Sequence, residues 1–153
     1  MTIRKLQLDD FLPYRLSITS NLVSDAIAQA YARLFALTVP EWRLIAVIAE
    51  SDGITQQQLC QRTRMDKVTV SRATIALSNR GLVRRMPNPA DGRSQLLSLS
   101  EEGRELYAHV VPEALALETR IFGQLGNEQI AQFTELLDHI SAAAEKLIDA
   151  RAP

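Results

Sequence analysis

Between residues 55 and 99 the sequence pattern changes from helical to strand-like, and the change falls at Gly81. Thr55 and Gln58 have the spacing of a capping box, which predicts a short helix over residues 56–62. Met65-Asp66 opens a second helix, whose inward face we expect to be Val70, Ala73, Thr74 and Leu77. Gly suits the left-handed residue that terminates a helix. Two short helices joined by a tight turn indicate a helix-turn-helix.

Two strand patterns follow Gly81, over residues 82–86 and 95–99. The connection between them, residues 87–93, consists mainly of turn-forming residues. This arrangement predicts a two-stranded hairpin with a protruding loop, a wing attached to the end of the second short helix.

Basic side chains are concentrated in the same part of the chain. Residues 53–99 hold eight basic and two acidic side chains, a local charge of +6, whereas residues 100–153 carry −6 and residues 1–52 carry −1. A cationic segment between neutral and acidic ends favours docking of a polyanion on one lobe. Helix surfaces charged by chance are the alternative explanation.

Long helices are predicted on both sides of this lobe, over residues 10–36 and 101–150, the second range interrupted at Gly126-Asn127. A further helix, from Val39 to about Ser51, starts at a Thr38/Glu41 capping box and is expected to bury Leu44, Ile45, Val47 and Ile48. The first helix is apolar on more than one side, and the last has the heptad seam of packed helices. Burial across a two-fold dimer explains both, and the residues assigned to it are Leu16, Val23, Ile130, Phe133, Leu137, Ile140 and Leu147. Packing within one chain is the alternative.

The outward face of the second short helix fits the major groove of duplex DNA. It carries Val68, Arg72, Ile75 and Asn79, with Thr69 and Ser71 at its flanks, and it is small, polar and basic near its start. Arg72 is suited to donate two hydrogen bonds to guanine, and Val68 or the Thr69 methyl group to contact a thymine methyl. Lys67, Ser71, Arg62 and Arg64 are assigned to phosphates instead. An ordinary amphipathic surface helix is the alternative.

The predicted wing carries Arg84 and Arg85 on its first strand and Asp91-Gly92-Arg93 at its loop. A guanidinium at the tip of a hairpin has the reach to enter a narrow minor groove. A solvated turn is the alternative interpretation.

Several other classes of function lack the residues they need. The sequence has no nucleophile elbow and no Gly-rich phosphate loop, and His109 and His139 are far apart, so we predict neither an enzyme nor a metal or cofactor site. A single cysteine excludes an internal disulfide, and no signal or membrane-spanning segment is evident, which predicts a cytoplasmic protein. Cys60 is assigned to packing, with a redox-responsive thiol as the alternative.

These motifs resemble the MarR family of transcriptional regulators. The resemblance rests on residues 65–72, Arg80-Gly81-Leu82-Val83-Arg84-Arg85, Asp91-Gly92-Arg93 and residues 97–103. It implies a mainly α fold with a small β-hairpin: one domain over residues 1–153, with a winged helix-turn-helix DNA-binding lobe at 39–99 and dimerisation helices at 10–36 and 101–150. It also implies a homodimer that reads a pseudo-palindromic operator, with Asp91 steadying Arg72 and Arg93.

The resemblance further implies a repressor that a small aromatic or phenolic effector releases from DNA. Tyr14, Arg15 and Trp42 are the candidate effector residues, supplying an aromatic wall and a partner for a carboxylate. Interface packing for the two aromatic residues, and a surface ion pair for Arg15, remain alternatives. A constitutive DNA-binding or architectural protein is the other functional hypothesis.

Overall fold

A computed structural model of the chain describes residues 5–151 as six helices and a two-stranded sheet. The predicted domain extends over residues 1–4 and 152–153 as well, which lie outside the described part. The helices are α1 (Leu12–Phe35), α2 (Val39–Ala49), α3 (Gln56–Thr63), α4 (Lys67–Asn79), α5 (Glu101–Phe122) and α6 (Asn127–Arg151). The strands are β1 (Val83–Pro87) and β2 (Gln95–Leu99), and one 3-10 turn (Leu8–Asp10) precedes α1.

Side-chain caps fix the start of the short helices. Both predicted capping boxes form: Thr38 and Glu41 exchange hydrogen bonds at the start of α2, and Thr55 and Gln58 do so at the start of α3. Helix α2 ends at Ala49, two residues before the predicted end, and α5 ends at Phe122, four residues before the predicted interruption at Gly126.

The core lies between α2, α3, α4 and the hairpin. Its most deeply buried side chains come from all four elements: Leu44, Ile45, Ile48, Leu59, Val70, Leu77 and Leu97. Val47, predicted to be buried, is only half-buried. It lies on the flank of α2, 200° round the helix from Ile45 at 100° per residue.

The hairpin is antiparallel, with Val83 opposite Leu99 and Pro87 opposite Gln95. Strand β1 starts one residue later than predicted, and β2 has the predicted bounds. Ile54 adds a short bridge on the other side of β2, where its backbone exchanges hydrogen bonds of 3.1 and 2.7 Å with Leu97. This bridge ties the hairpin to the residue that precedes the α3 capping box.

The chain divides into two compact units, with the boundary between Ala114 and Leu115 inside α5. The second unit contains the end of α5 and all of α6, and the ring centroids of Phe122 and Phe133 lie 6.1 Å apart within it. No residue of α6 from Asn127 to Arg151 is buried, and the heptad seam is open to solvent: Ile140 is 50% exposed and Leu147 68%. Within residues 5–151, no helix combines the length and the apolar content needed to cross a bilayer.

Candidate nucleic-acid interface

Asp66 holds the first turn of α4 in place. Its two carboxylate oxygens accept hydrogen bonds from the backbone N–H of Thr69 at 2.8 Å and from the Thr69 hydroxyl at 2.9 Å. These bonds stabilise the carboxylate and lower the pKa of Asp66. The helix that carries the predicted base-reading residues therefore begins at a charged cap.

Replacing Asp66 with Ala is expected to destabilise the chain at neutral pH and much less in acid. Because the folded protein lowers the pKa of Asp66, the stabilisation is fully present above the ordinary aspartate pKa of about 4 and is lost as the pH falls through the lower folded value. Denaturant unfolding of both proteins at neutral and acid pH measures the difference. Asp66→Asn, which caps without titrating, is the matched control. A difference that stays constant with pH would contradict the assignment.

Helix α4 turns one face to the core and the other to solvent, as predicted. Val70, Ala73, Thr74 and Leu77 are buried. The opposite face is exposed and carries Val68, Arg72, Ile75 and Asn79. Val68 is 58% exposed, although its side chain is apolar. An exposed apolar group beside an exposed guanidinium is the combination that contact with base edges needs.

The wing loop is shaped by its own polar side chains. The side-chain oxygen Oδ1 of Asn88 accepts the N–H of Ala90 at 3.0 Å, and the side-chain nitrogen Nδ2 of Asn88 donates to the Ser94 hydroxyl at 2.8 Å. Asp91 accepts the N–H of Arg93 at 2.9 Å. Such turns fix a loop without apolar packing.

Asp91 was expected to steady Arg72 and Arg93, but its carboxylate accepts a hydrogen bond from the backbone of Arg93. Within residues 5–151, Asp91 forms no ion pair with the guanidinium of Arg72 or Arg93, and its carboxylate binds loop backbone instead. Asp91 therefore shapes the loop that presents Arg93, while the Arg93 guanidinium stays exposed.

A hollow of about 890 Å³ separates α3 from the wing, and we call it the α3–wing hollow. Three of the predicted DNA-binding cations line it together: Lys67 at the start of α4, Arg85 on β1 and Arg93 in the loop. Side-chain amides line it too, namely Gln56, Gln57, Gln58, Gln61, Asn88 and Gln95. Of these amides only Gln58 was named from the sequence, as the partner of the Thr55 cap, although the run of three glutamines after Thr55 was a usable signal.

The other predicted phosphate contacts lie elsewhere. Arg62 makes an exposed ion pair of 2.8 Å with Glu50, so part of its charge is already compensated. Arg64 ends α3 in a left-handed conformation, with φ of 58°. Arg84 does not share the face of Arg85, because neighbouring strand residues point to opposite sides of a sheet. The assignment of Arg84 to the DNA-binding wing, together with Arg85, stays a prediction.

The three candidate effector residues are not brought together within one chain. Tyr14 and Arg15 lie in the first turn of α1, where Arg15 donates to the carbonyl oxygen of Asp9 at 3.1 Å. Trp42 instead contacts Tyr31, seventeen residues further along α1, with ring centroids 5.6 Å apart. At 1.5 Å per residue, Tyr14 and Tyr31 are about 25 Å apart along the helix.

Trp42 belongs to an aromatic cluster that sequence reasoning missed. It stacks on Tyr107 of α5 at 5.8 Å with 18° between the ring planes, and it meets Tyr31 edge-on. Tyr31 is buried, which raises the pKa of its hydroxyl, whereas Trp42 and Tyr107 are half-buried. The cluster joins α1, α2 and α5 and keeps part of two rings accessible.

Cys60 is half-buried rather than fully packed. It lines a surface hollow of about 500 Å³ with Gln61, Arg64, Met65 and Asp66. The packing prediction for Cys60 therefore holds only in part.

Comparison with known proteins identifies the relatives of this chain. The family model described as MarR family matches residues 37–94. Transcriptional regulator HosA of Escherichia coli O111:H- is 32% identical over 101 residues, which cover 66% of this chain and 75% of HosA. The homoprotocatechuate degradative operon repressor of Escherichia coli is 27% identical over 106 residues, which cover 69% of this chain and 72% of the repressor.

The fold comparison leads to the same group. The crystal structure of Sco3205, a MarR family transcriptional regulator from Streptomyces coelicolor, in complex with DNA, superposes with a TM-score of 0.82. The two chains are 23% identical, and the match covers 93% of this chain and 91% of Sco3205. The predicted winged helix-turn-helix fold is therefore confirmed.

Proposed function

Because this chain belongs to the MarR family, a family of transcriptional regulators and not of enzymes, we propose that it binds duplex DNA as a homodimer and represses transcription until a small aromatic or phenolic effector releases it. The observation that carries the proposal is the α3–wing hollow, where Lys67, Arg85 and Arg93 converge beside the exposed face of α4. Sco3205 supports the DNA-binding part, and the homoprotocatechuate degradative operon repressor supports repression and a link to the breakdown of a hydroxylated aromatic acid.

In this proposal α4 enters the major groove and the wing lies along the adjacent minor groove. Arg72 and Val68 read base edges, Lys67 and Arg85 bind the phosphates between helix and wing, and Arg93 enters the minor groove. The side-chain amides of the α3–wing hollow donate further hydrogen bonds to phosphate oxygens. Residues 1–153 act as one functional domain, duplicated through α1, α5 and α6.

Replacing Arg72 with Ala is expected to weaken binding to the cognate operator by about 1–3 kcal/mol, because a bidentate contact to guanine is lost. Binding to random duplexes should change little. Lys67→Ala is the matched control, since loss of a phosphate contact weakens all sequences alike and lowers the salt slope by about one. If Arg72→Ala weakens operator and random DNA by the same factor, Arg72 is a phosphate contact.

Selection of bound duplexes from a random pool tests the proposal directly. We expect a pseudo-palindromic sequence whose affinity falls steeply as salt rises, because phosphate contacts release counterions. Absence of salt-sensitive binding to any duplex would overturn the DNA-binding proposal.

The effector is proposed to bind at the Tyr31–Trp42–Tyr107 cluster rather than near Tyr14 and Arg15. Trp42 is the only tryptophan in the sequence, so its fluorescence reports on this place alone. Titration with homoprotocatechuate and other hydroxylated aromatic acids is expected to quench Trp42 and release the selected operator, whereas acetate should do neither. Release of the operator without a change in Trp42 emission would show that the effector binds away from the Tyr31–Trp42–Tyr107 cluster.

A further inference from the structure

Arg80 is an exposed basic residue of the cationic segment that does not line the α3–wing hollow, because its side chain reaches the end of α1 instead. It caps the C-terminal end of α4, and its guanidinium donates to the carbonyl oxygens of Ala36 at 2.9 Å and Phe35 at 3.3 Å. Those carbonyls end α1, forty-four and forty-five residues earlier. A cation at the carbonyl end of a helix is favoured by the helix dipole.

The end of α1 that receives Arg80 is conformationally fixed. Ala36 is left-handed, with φ of 52°, a conformation that is unfavourable for a residue with a Cβ atom. Leu37, the next residue, is fully buried, and Thr38 then caps α2. The connection between α1 and α2 is therefore held in one conformation by Leu37 and Thr38. The hydrogen bonds from Arg80 join the end of α4 to this connection.

The residues after Arg80 are fixed to α5. Ser100 donates from its hydroxyl to the carbonyl oxygen of Gly81 at 2.6 Å and from its backbone N–H to that of Leu82 at 3.0 Å. The Ser100 hydroxyl also accepts the N–H of Gly103 at 3.0 Å in the first turn of α5. Residues 80–82 therefore connect the end of α4 to α1 on one side and to α5 on the other.

We propose that Arg80 is a positioning residue that sets the angle of α4 against α1 and thereby the half-site spacing that the dimer accepts. The inference rests on the proposed function, in which α1 and α5 belong to the dimer and α4 reads the groove. Two symmetry-related α4 helices match an operator only if they lie about one helical turn of DNA apart, near 34–36 Å. The two hydrogen bonds from Arg80 to the end of α1 restrict the angle of α4, and with it the separation of the two α4 helices, more than one hydrogen bond would.

The experiment compares wild type, Arg80→Ala and Arg80→Lys on three duplexes: the selected operator, the operator with one base pair added between half-sites, and a single half-site. Arg80→Ala is expected to bind the operator about tenfold more weakly, because part of the gain from simultaneous engagement is lost. Its half-site affinity should stay within about twofold of wild type, since Arg80 contacts no DNA in this arrangement. Adding one base pair between the half-sites should lower the operator affinity of Arg80→Ala less than it lowers that of wild type.

The Arg80→Lys variant distinguishes a positioning role of Arg80 from an effect of its positive charge. A lysine keeps the charge but has no planar fork to bridge two carbonyl groups, so it should restore only part of the operator affinity and of the spacing preference. Arg33→Ala, which removes an exposed cation from the last turn of α1, is the matched control and should behave as wild type.

Two outcomes would overturn the role of Arg80. The first is equal weakening of half-site and operator, which makes Arg80 a phosphate contact. The second is an unchanged spacing profile in Arg80→Ala, whether or not its operator affinity falls. Failure of wild type to bind any of the duplexes is a separate result, because it contradicts the DNA-binding proposal itself.

Discussion

Gly103→Ala is expected to lower the free energy of unfolding by about 3 kcal/mol, at the upper end of what overpacking costs. A Cβ atom on Gly103 would lie 2.1 Å from the backbone carbonyl oxygen of Leu82. That oxygen cannot turn away, because it accepts the N–H of Ser100 at 3.0 Å. Either the first turn of α5 or the start of the hairpin must move.

Thermal unfolding measures this effect. At about 2–4 °C per kcal/mol for a chain of this size, the melting temperature should fall by about 6–12 °C. Gly92→Ala is the matched control: a Cβ atom there meets nothing within 4 Å, so its melting temperature should stay near that of wild type. Equal melting of the two variants would show that the α5 turn adjusts freely and that the contact is not a rigid joint.

The elements were predictable from the sequence where a periodic pattern and a local cap agree. Helix α4 combines a repeating buried face with a predicted start at Met65-Asp66 and a left-handed Gly81, and all three features appear in the structure. The Thr38 and Thr55 capping boxes likewise fixed the starts of α2 and α3. Each of these signals lies within a few residues of the feature that it predicts.

Contacts between segments that are far apart in the sequence were not predictable, because they produce no periodic pattern in it. The Ile54 bridge to β2 is one residue long, and the Arg80 bond to the end of α1 joins positions more than forty residues apart. Lys67, Arg85 and Arg93 were assigned to DNA binding because each is basic and near a turn, but the hollow that they line together was not predicted. The Arg62–Glu50 pair was not, because it depends on how α2 and α3 pack.

The effector residues illustrate the same limit. Tyr14, Arg15 and Trp42 were grouped by chemical type, since an aromatic ring and a guanidinium suit an aromatic acid. Tyr14 and Arg15 lie in the first turn of α1, whereas Trp42 lies on α2 and contacts Tyr31 and Tyr107. Tyr31 and Tyr107 have no sequence signature beyond being aromatic. Residue type predicts which chemistry is available, and the packing of α1, α2 and α5 decides where it is assembled.

The dimer prediction has the largest consequence for function. Ile140 lies in the middle of the α6 seam and is 50% exposed in the single chain. If a second copy covers this seam, Ile140→Glu buries an unpaired charge at the interface, which is far more costly than the apolar contact it replaces. The variant should sediment as a single chain, as should a truncation before Asn127.

Loss of the dimer should weaken operator binding about a hundredfold or more, because two half-sites are then no longer engaged by one molecule. Half-site binding should persist in Ile140→Glu, since the α3–wing hollow and α4 lie in the other compact unit. Ala142→Glu, on the opposite side of α6 at 100° per residue, is the matched control and should stay dimeric. A dimeric Ile140→Glu with full operator affinity would mean that the exposed seam of α6 is not what joins the two copies.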